Sequence, residues 1–359
     1  MVRSIEEVLY RPEVGNHVMA TTLLSPATVV RYDVGRGFPP WFRREKAFDA
    51  RNLYLLRDVF MGSRTGQIWT PGGALFAESV GSPYRILGWE QGFDEIMLQG
   101  AAIPVLSEVP VVASPPAGYF HWLMEVLPGL IAALEHYPEA TVLLHPNSPG
   151  YVSEALQLLS ERDTDRTHRE TIVSPIPVRA CRAVLPGREA YSGFIQLEDV
   201  ERIRESLRVS HGSRAHRLIY VSRRGTTRRS LENEPDVEAE LERRGFEIIR
   251  AEQLTLRAQI ELFSEARVVI GPHGAGLANL VWCPAETRVV ELFPAGIFND
   301  CYARLACVRG LSYWPLECAP SSSSHGIVPI SKLRKVAVAA MKGQDGAVSP
   351  FGIFREDRG

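Results

Sequence analysis

Between Leu218 and Leu292 the chain alternates short apolar runs with amphipathic stretches. Leu218 to Ser222, Phe246 to Ile249, Val268 to Ile270 and Arg288 to Leu292 read as strands. Glu234 to Arg244 reads as a helix with acids in its first turn and Arg243 and Arg244 in its last. Those charges complement the helix dipole, and Gly245 sits where a C′ glycine belongs. Thr255 caps a second helix, whose face is Leu256, Ile260, Phe263 and Ala266. Strand–helix alternation at this pitch requires a parallel sheet with helices on its faces. Ligands of such sheets bind at the carboxyl ends of the strands.

One of those ends carries GPHGAGLAN, Gly271 to Asn279, between the run Val268 to Ile270 and a short helix ending near Pro284. A loop that opens a helix presents bare backbone N–H groups to an anion. Its three glycines permit close approach, and His273 adds a donor or a charge. The loop after Leu218 to Ser222 reads RRGTTRR, with Arg223, Arg224, Arg228 and Arg229 expected over the same crevice. Arginine suits bidentate phosphate binding, although a solvated basic loop reads the same way. Asn233 and Glu234 are explained by capping and by the first turn of a helix. Glu291 interrupts an apolar strand, so it accepts from sugar hydroxyls or pairs with an arginine, and periodicity does not decide.

The 359 residues suit two domains of ~150–180 residues each. With 45% hydrophobic and 23% charged residues and a net charge of −2, no global field draws the chain to nucleic acid or anionic lipid. Five cysteines without CxxC or Cys/His spacing argue against a disulfide framework and a structural zinc. No apolar h-region opens the sequence and no uncharged apolar run reaches the ~18 residues of a membrane span. Reduced cytosol is the expected compartment.

The first hundred residues read as β-rich, with strands at Ala27 to Tyr32 and Asn52 to Phe60 and a strand–turn–strand at Gly66 to Ala77. From Val109 the rhythm becomes α/β. Strands are expected at Val109 to Ala113, Thr141 to His145 and Ala180 to Leu185, with helices at Phe120 to His136 and Tyr151 to Leu159. Within GYFHWLMEVLP, His121 and Glu125 are four apart and share a helix face after a Pro/Gly loop. Either is a candidate general base, and an i,i+4 structural hydrogen bond is the plain alternative.

HWLMEVLPGL at 121–130, YVSRR…RRSLENE at 220–234 and the long block from Arg257 to Pro294 together resemble glycosyltransferase family 61, the DUF563 group that includes capsular polysaccharide biosynthesis proteins. Coverage is roughly residues 110–295, about half the chain. The resemblance implies a GT-B-like α/β architecture with two Rossmann-like domains facing a central cleft, preceded here by a β-rich portion. Residues 1–195 would form the acceptor-side domain, 196–342 the nucleotide-sugar-binding domain and 343–359 a tail. It implies an inverting transferase with no cofactor beyond a nucleotide-diphosphate sugar as co-substrate. Arg223, Arg229 and His273 would meet the diphosphate beside Gly271, Gly274, Ala275, Gly276 and Asn279, while Asn233 and Glu291 shape the site or hold ribose. His121 or Glu125 would take the acceptor proton; the family usually has aspartate where this chain has Glu125.

Positive side chains and helix N-termini replace the metal in many such folds, so metal independence is expected. The expected acceptor is a glycan or lipid-linked oligosaccharide of a bacterial surface polysaccharide, which would place the chain peripherally on the inner membrane. No nucleic acid partner is expected. A nucleotide-sugar epimerase or hydrolase and a non-catalytic nucleotide-sugar-binding subunit are the alternatives.

Overall fold

The computed structural model describes residues 15–32, 42–80, 103–106, 108–162, 170–188, 192–209, 215–226, 229–294, 296, 299–321, 326–343 and the backbone of 353–357. The chain is mixed α/β. Its β-rich start contributes β1 (Val18–Ser25), β2 (Thr28–Tyr32), β3 (Glu45–Phe48), β4 (Arg51–Met61) and the short β5 (Ile68–Trp69). The α/β rhythm then sets in with β6 (Val105–Leu106), β7 (Val111–Ser114), β8 (Thr141–Leu144), β9 (Thr171–Val173) and β10 (Val178–Pro186). One sheet runs in the order β1-β4-β10-β7-β8-β9. Its β10-β7-β8-β9 portion is parallel and its β1-β4-β10 portion antiparallel.

Helix α1 covers 119–136 between β7 and β8 and is interrupted by a π turn, Trp122–Val126. The cause lies in the sequence. Pro128 has no N–H to return to the Met124 carbonyl, so the ladder widens and the Leu127 N–H bonds the Trp122 carbonyl instead. Trp122 is fully buried and its Nε1 donates to Ser114 Oγ at 3.1 Å, which fixes the helix on the end of β7. Helices α2 (Gly150–Arg162) and α3 (Leu197–Ser206) follow.

The second half contains β11 (Arg217–Val221), α4 (Glu234–Glu242), β12 (Glu247–Ile249), α5 (Leu256–Ser264), β13 (Ala266–Pro272), a 3₁₀ segment Ala275–Trp282, β14 (Arg288–Phe293), α6 (Cys301–Arg309) and β15 (Ser312–Glu317). A two-residue pair, β16 (Ala319–Pro320) with β17 (Gly326–Ile327), precedes α7 (Ile330–Lys342). The second sheet is all parallel in the order β12-β11-β13-β14-β15. The strand order reverses between β11 and β13, the switch point at which such sheets bind ligands. The expected helices and strands from Leu218 to Leu292 are present; α6 and β15, whose apolar residues lack a clean period, were not anticipated. Thr255 caps α5 as expected, its Oγ1 accepting from the Ala258 N–H at 3.2 Å.

Alternate strand residues feed two cores. Tyr220, Val268, Ile270, Val290 and Leu292 pack with Val237 and Leu241 of α4 and with Leu333, Ala337 and Ala340 of α7. Ile219, Val221, Val269 and Val289 pack the other way, with α5, α6 and the 3₁₀ segment. That second core continues into α1, α2 and α3 and reaches Val112, Val142 and Val184 of the first sheet. The two sheets therefore share one apolar layer. The expected tail contains a strand, β18 (Ile353–Asp357), which pairs antiparallel with β2 and carries the chain end back to the N-terminal half.

Polar contacts fasten the layer at the glycine loop. Asn279 is completely buried; its Oδ1 accepts from Tyr119 Oη at 2.7 Å and Trp282 Nε1 at 3.2 Å, and its Nδ2 donates to Gln259 Oε1 at 2.7 Å and the Gly276 carbonyl at 3.1 Å. A carboxamide has two donors and two acceptor sites, so all four are used. Asn279→Ala leaves four partners unmatched and should lower the unfolding free energy by about 2–3 kcal/mol in urea titration; an unchanged midpoint would contradict the role.

Candidate functional site

The carboxyl ends of β11 and β13 meet α1 across a cleft of about 610 Å³. His121, Glu125, Ser192, Arg229, His273, Ala275 and Tyr302 are among its lining residues. The sequence-expected groups of the two halves thus share one space, and its volume suits a small ligand.

On one wall, His273 follows β13 and is almost fully buried. Its ring stacks on Phe293 at 5.8 Å and tilts against Tyr302 at 5.1 Å. Its Nδ1 lies 2.5 Å from Glu291 Oε1. Glu291 is 0% exposed, and its other oxygen accepts from Tyr313 Oη. The open choice for Glu291 resolves into neither sugar nor arginine. It orients the imidazole, because a carboxylate on Nδ1 leaves Nε2 as the atom that meets a ligand.

Arg223 begins the loop after β11. Its guanidinium covers Gly274, where a Cβ would stand 2.0 Å from Nη1 and 2.7 Å from Cζ. Gly274 is therefore required by the arginine beside it, and Gly276 by Val221, whose Cγ1 would be 2.8 Å from an added Cβ. Gly271 likewise packs tightly on Val221. The three glycines expected to admit an anion serve first to let β11, β13 and Arg223 close together. The first N–H groups of the 3₁₀ segment still open towards the cleft side at Ala275.

Arg229 lines the cleft in a left-handed conformation, φ 57°, that a non-glycine residue adopts at a cost of order ~1 kcal/mol. Burial and then the charge of Arg229 push Arg223 below the usual arginine value. Two cations are thus held near enough to oppose one another, which an anion between them would relieve. Arg224 instead turns to an exposed pair with Glu238 at 3.3 Å, and Arg228 lies outside the described residues.

Glu234 opens the first turn of α4 as expected, and it is also buried. Its Oε1 accepts from the Arg223 N–H at 2.7 Å, Tyr220 Oη at 3.0 Å and Ser222 Oγ at 3.3 Å, fixing the turn that launches Arg223. Burial raises its carboxyl above the ordinary range, partly offset by those donors. Asn233 makes no side-chain cap. Its carboxamide clasps the Val328 backbone, donating to O at 3.0 Å and accepting from N at 2.9 Å. Asn233 and Asn279 are thus engaged with protein, not presented to ribose or phosphate.

On the opposite wall, the α1 turn presents His121. Its Nδ1 is 3.1 Å from both Glu125 oxygens. Ser192 Oγ donates to Glu125 Oε1 at 2.6 Å and the Gly193 N–H donates to the same oxygen at 3.1 Å. Burial works to raise the Glu125 carboxyl, but the hydrogen bonds and charge of His121, with those of Ser192 and Gly193, outweigh it and hold the group below its ordinary value. Ser192 and Gly193 carry no local sequence signal and sit about seventy residues from their partners.

The family model described as Glycosyltransferase 61 matches residues 119–290, the stretch that builds both walls. Over that stretch, a little under half of its length, the chain is similar to the glycosyltransferase 61 family. It is similar to the beta-1,2-xylosyltransferase XAX1 of Oryza sativa subsp. japonica, 28% identical over 52% of this chain and 38% of that protein. It is also similar to the EGF domain-specific O-linked N-acetylglucosamine transferase of Drosophila melanogaster, 35% identical over 27% of this chain and 19% of that protein. The matches thus span well under half the length of these relatives. Among the described residues no group of three His, Cys, Asp or Glu side chains is placed to hold a metal, and no helix is long and apolar enough to cross a membrane. The stretch Asp163-Thr164-Asp165, two acids flanking a threonine, lies outside the described residues.

Glu291→Gln keeps the shape of the side chain but removes the charge behind His273. Affinity for inorganic pyrophosphate, measured by calorimetry, should fall about tenfold, ~1.4 kcal/mol. Equal affinity in the variant would show that Glu291 does not act through the ring.

Proposed function

We propose that the chain is an inverting glycosyltransferase of GT-B-like design that moves a sugar from a nucleotide-diphosphate donor to a glycan or glycolipid acceptor. The observation that carries the reading is that Arg229 and His273, with Arg223 packed over Gly274 and within electrostatic reach of Arg229, face His121 and Glu125 across one cleft at the β11/β13 switch point. The match of residues 119–290 to the glycosyltransferase 61 family model and the named activities of the rice and fly relatives support it.

In this reading the two arginines, with the His273 ring oriented beside them, neutralise the charge that grows on the departing diphosphate. The reacting carbon passes through an oxocarbenium-like state, as in glycoside hydrolysis. The His121/Glu125 pair takes the acceptor proton. A proton-taking pair opposite the cation cluster favours transfer over a mere nucleotide-binding module. The bacterial surface-polysaccharide role, cytoplasmic location and peripheral association with an inner membrane form the cellular part of the proposal and rest on the motif resemblance; the two relatives are plant and insect proteins.

A thermal-shift screen of nucleotide sugars tests donor binding. At a hundredfold excess over Kd the bound form gains ~2.7 kcal/mol, a rise of several degrees in melting temperature. Arg223→Ala and Arg229→Ala should suppress the rise while leaving the ligand-free melt near that of the parent; no shift with any nucleotide or nucleotide sugar would sink the reading.

Cationic side chains at the diphosphate position also support metal-independent transfer. Acceptor-dependent nucleotide release should persist in EDTA. Complete loss that manganese restores would overturn that part.

A further inference from the structure

We propose that His121 is the proton acceptor of the site, and that Ser192, Gly193 and Glu125 are positioning residues that lock its ring with the proton on Nδ1 and a bare Nε2. This assignment rests on the glycosyl-transfer reading for the identity of the proton donor, an acceptor hydroxyl.

The lock follows from counting donors. Ser192 Oγ has one hydrogen, and it is committed to Glu125 Oε1 at 2.6 Å. What Ser192 turns to His121 Nδ1, 3.1 Å away, is therefore a lone pair. The other two atoms around Nδ1 are the Glu125 oxygens, each at 3.1 Å. All three neighbours accept, so Nδ1 must donate. In the neutral ring the second nitrogen, Nε2, then has no hydrogen and is ready to receive one. Glu125 itself is a poor proton acceptor, since its Oε1 already accepts from Ser192 Oγ and the Gly193 N–H and it also holds the imidazole.

His273 has a similar carboxylate partner on Nδ1, but its surroundings differ. It is buried against Phe293 and Tyr302, and Arg223 and Arg229 belong to the same wall. His121 stands on the other wall with its side chain 45% exposed, open to a hydroxyl arriving from solvent. In the reaction, the acceptor oxygen bonds to the anomeric carbon and its proton passes to His121 Nε2. The bond from that carbon to the donor diphosphate breaks, and its electron pair leaves on the phosphate oxygen.

The strap that carries Ser192 is itself anchored from other elements. The ring of Phe194 lies 4.2 Å from the Arg304 guanidinium of α6 and 4.4 Å from Lys46 Nζ of β3. Arg304 is buried, pairs with Asp300 and reaches the Gly193 carbonyl at 3.5 Å. The orientation of a residue in the first half is thus set by a helix of the second.

The test reads the tautomer directly and needs no substrate. The full chain is labelled with ¹⁵N-histidine, and long-range proton–nitrogen correlation is recorded at a pH where the rings are neutral, with His121→Gln giving the assignment. The expected pattern has hydrogen on Nδ1 and none on Nε2 of His121. Glu125→Gln should shift the ring towards the Nε2–H form that prevails in free histidine, Ser192→Ala, which leaves the carboxylate on Nδ1, should shift it less, and Ser192→Thr, which keeps the hydroxyl, should retain the parent pattern. An Nε2–H ring in the parent, or a pattern indifferent to both Ser192→Ala and Glu125→Gln, would overturn the assignment. Absence of any nucleotide-induced thermal shift would instead overturn glycosyl transfer and leave the tautomer result standing, so the two failures are distinguishable.

Discussion

The buried carboxamide of Asn279 holds the site together. It ties the glycine-loop segment to Tyr119 at the start of α1, 160 positions earlier in the chain, and to Gln259 of α5. Of its four hydrogen bonds, the one from Tyr119 joins the two walls of the cleft, and the other three hold the carboxamide in place to receive it. His121 lies two residues from Tyr119, and His273 six residues from Asn279. Neither histidine can drift far without breaking a buried bond that water does not replace.

The glycine loop then acts as a joint. Residue size at Gly271, Gly274 and Gly276 decides how closely β13 approaches Val221 and how far Arg223 can lean across. The arginine needs this support: it is half-buried, opposed by Arg229, and steered by the backbone N–H that it gives to Glu234. A site built this way concentrates positive charge before a ligand arrives. That preorganisation is what stabilisation of a leaving diphosphate requires.

The alternating half of the fold was readable from sequence because its physics is local. The strands and helices from Leu218 to Leu292 follow from apolar periodicity, and Thr255 and Gly245 from capping chemistry. The i,i+4 pairing of His121 and Glu125 was likewise readable, although the π turn forced by Pro128 was not. The long-range partners lay beyond reach: Ser192 on Glu125, Arg304 under Gly193, Tyr313 on Glu291 and Val328 on Asn233 each join segments that only tertiary packing brings together. Glu291 and Glu234 show the limit most plainly. A buried acid must find partners, but local sequence does not say that one partner is a histidine ring and another an arginine's backbone. Asn233 looked like a cap and, by resemblance, a ribose contact; its carboxamide is taken by a backbone 95 positions away.

We propose that the cleft recognises a diphosphate through Arg229 and His273, with Arg223 beside them. Calorimetric titration of the parent protein with a nucleoside, its monophosphate and its diphosphate, repeated at rising salt, measures this most directly. Affinity should climb with each phosphate, by about tenfold or more per step, and the gain should shrink as salt screens the charges. Equal affinity for the nucleoside and its diphosphate, indifferent to salt, would contradict the account.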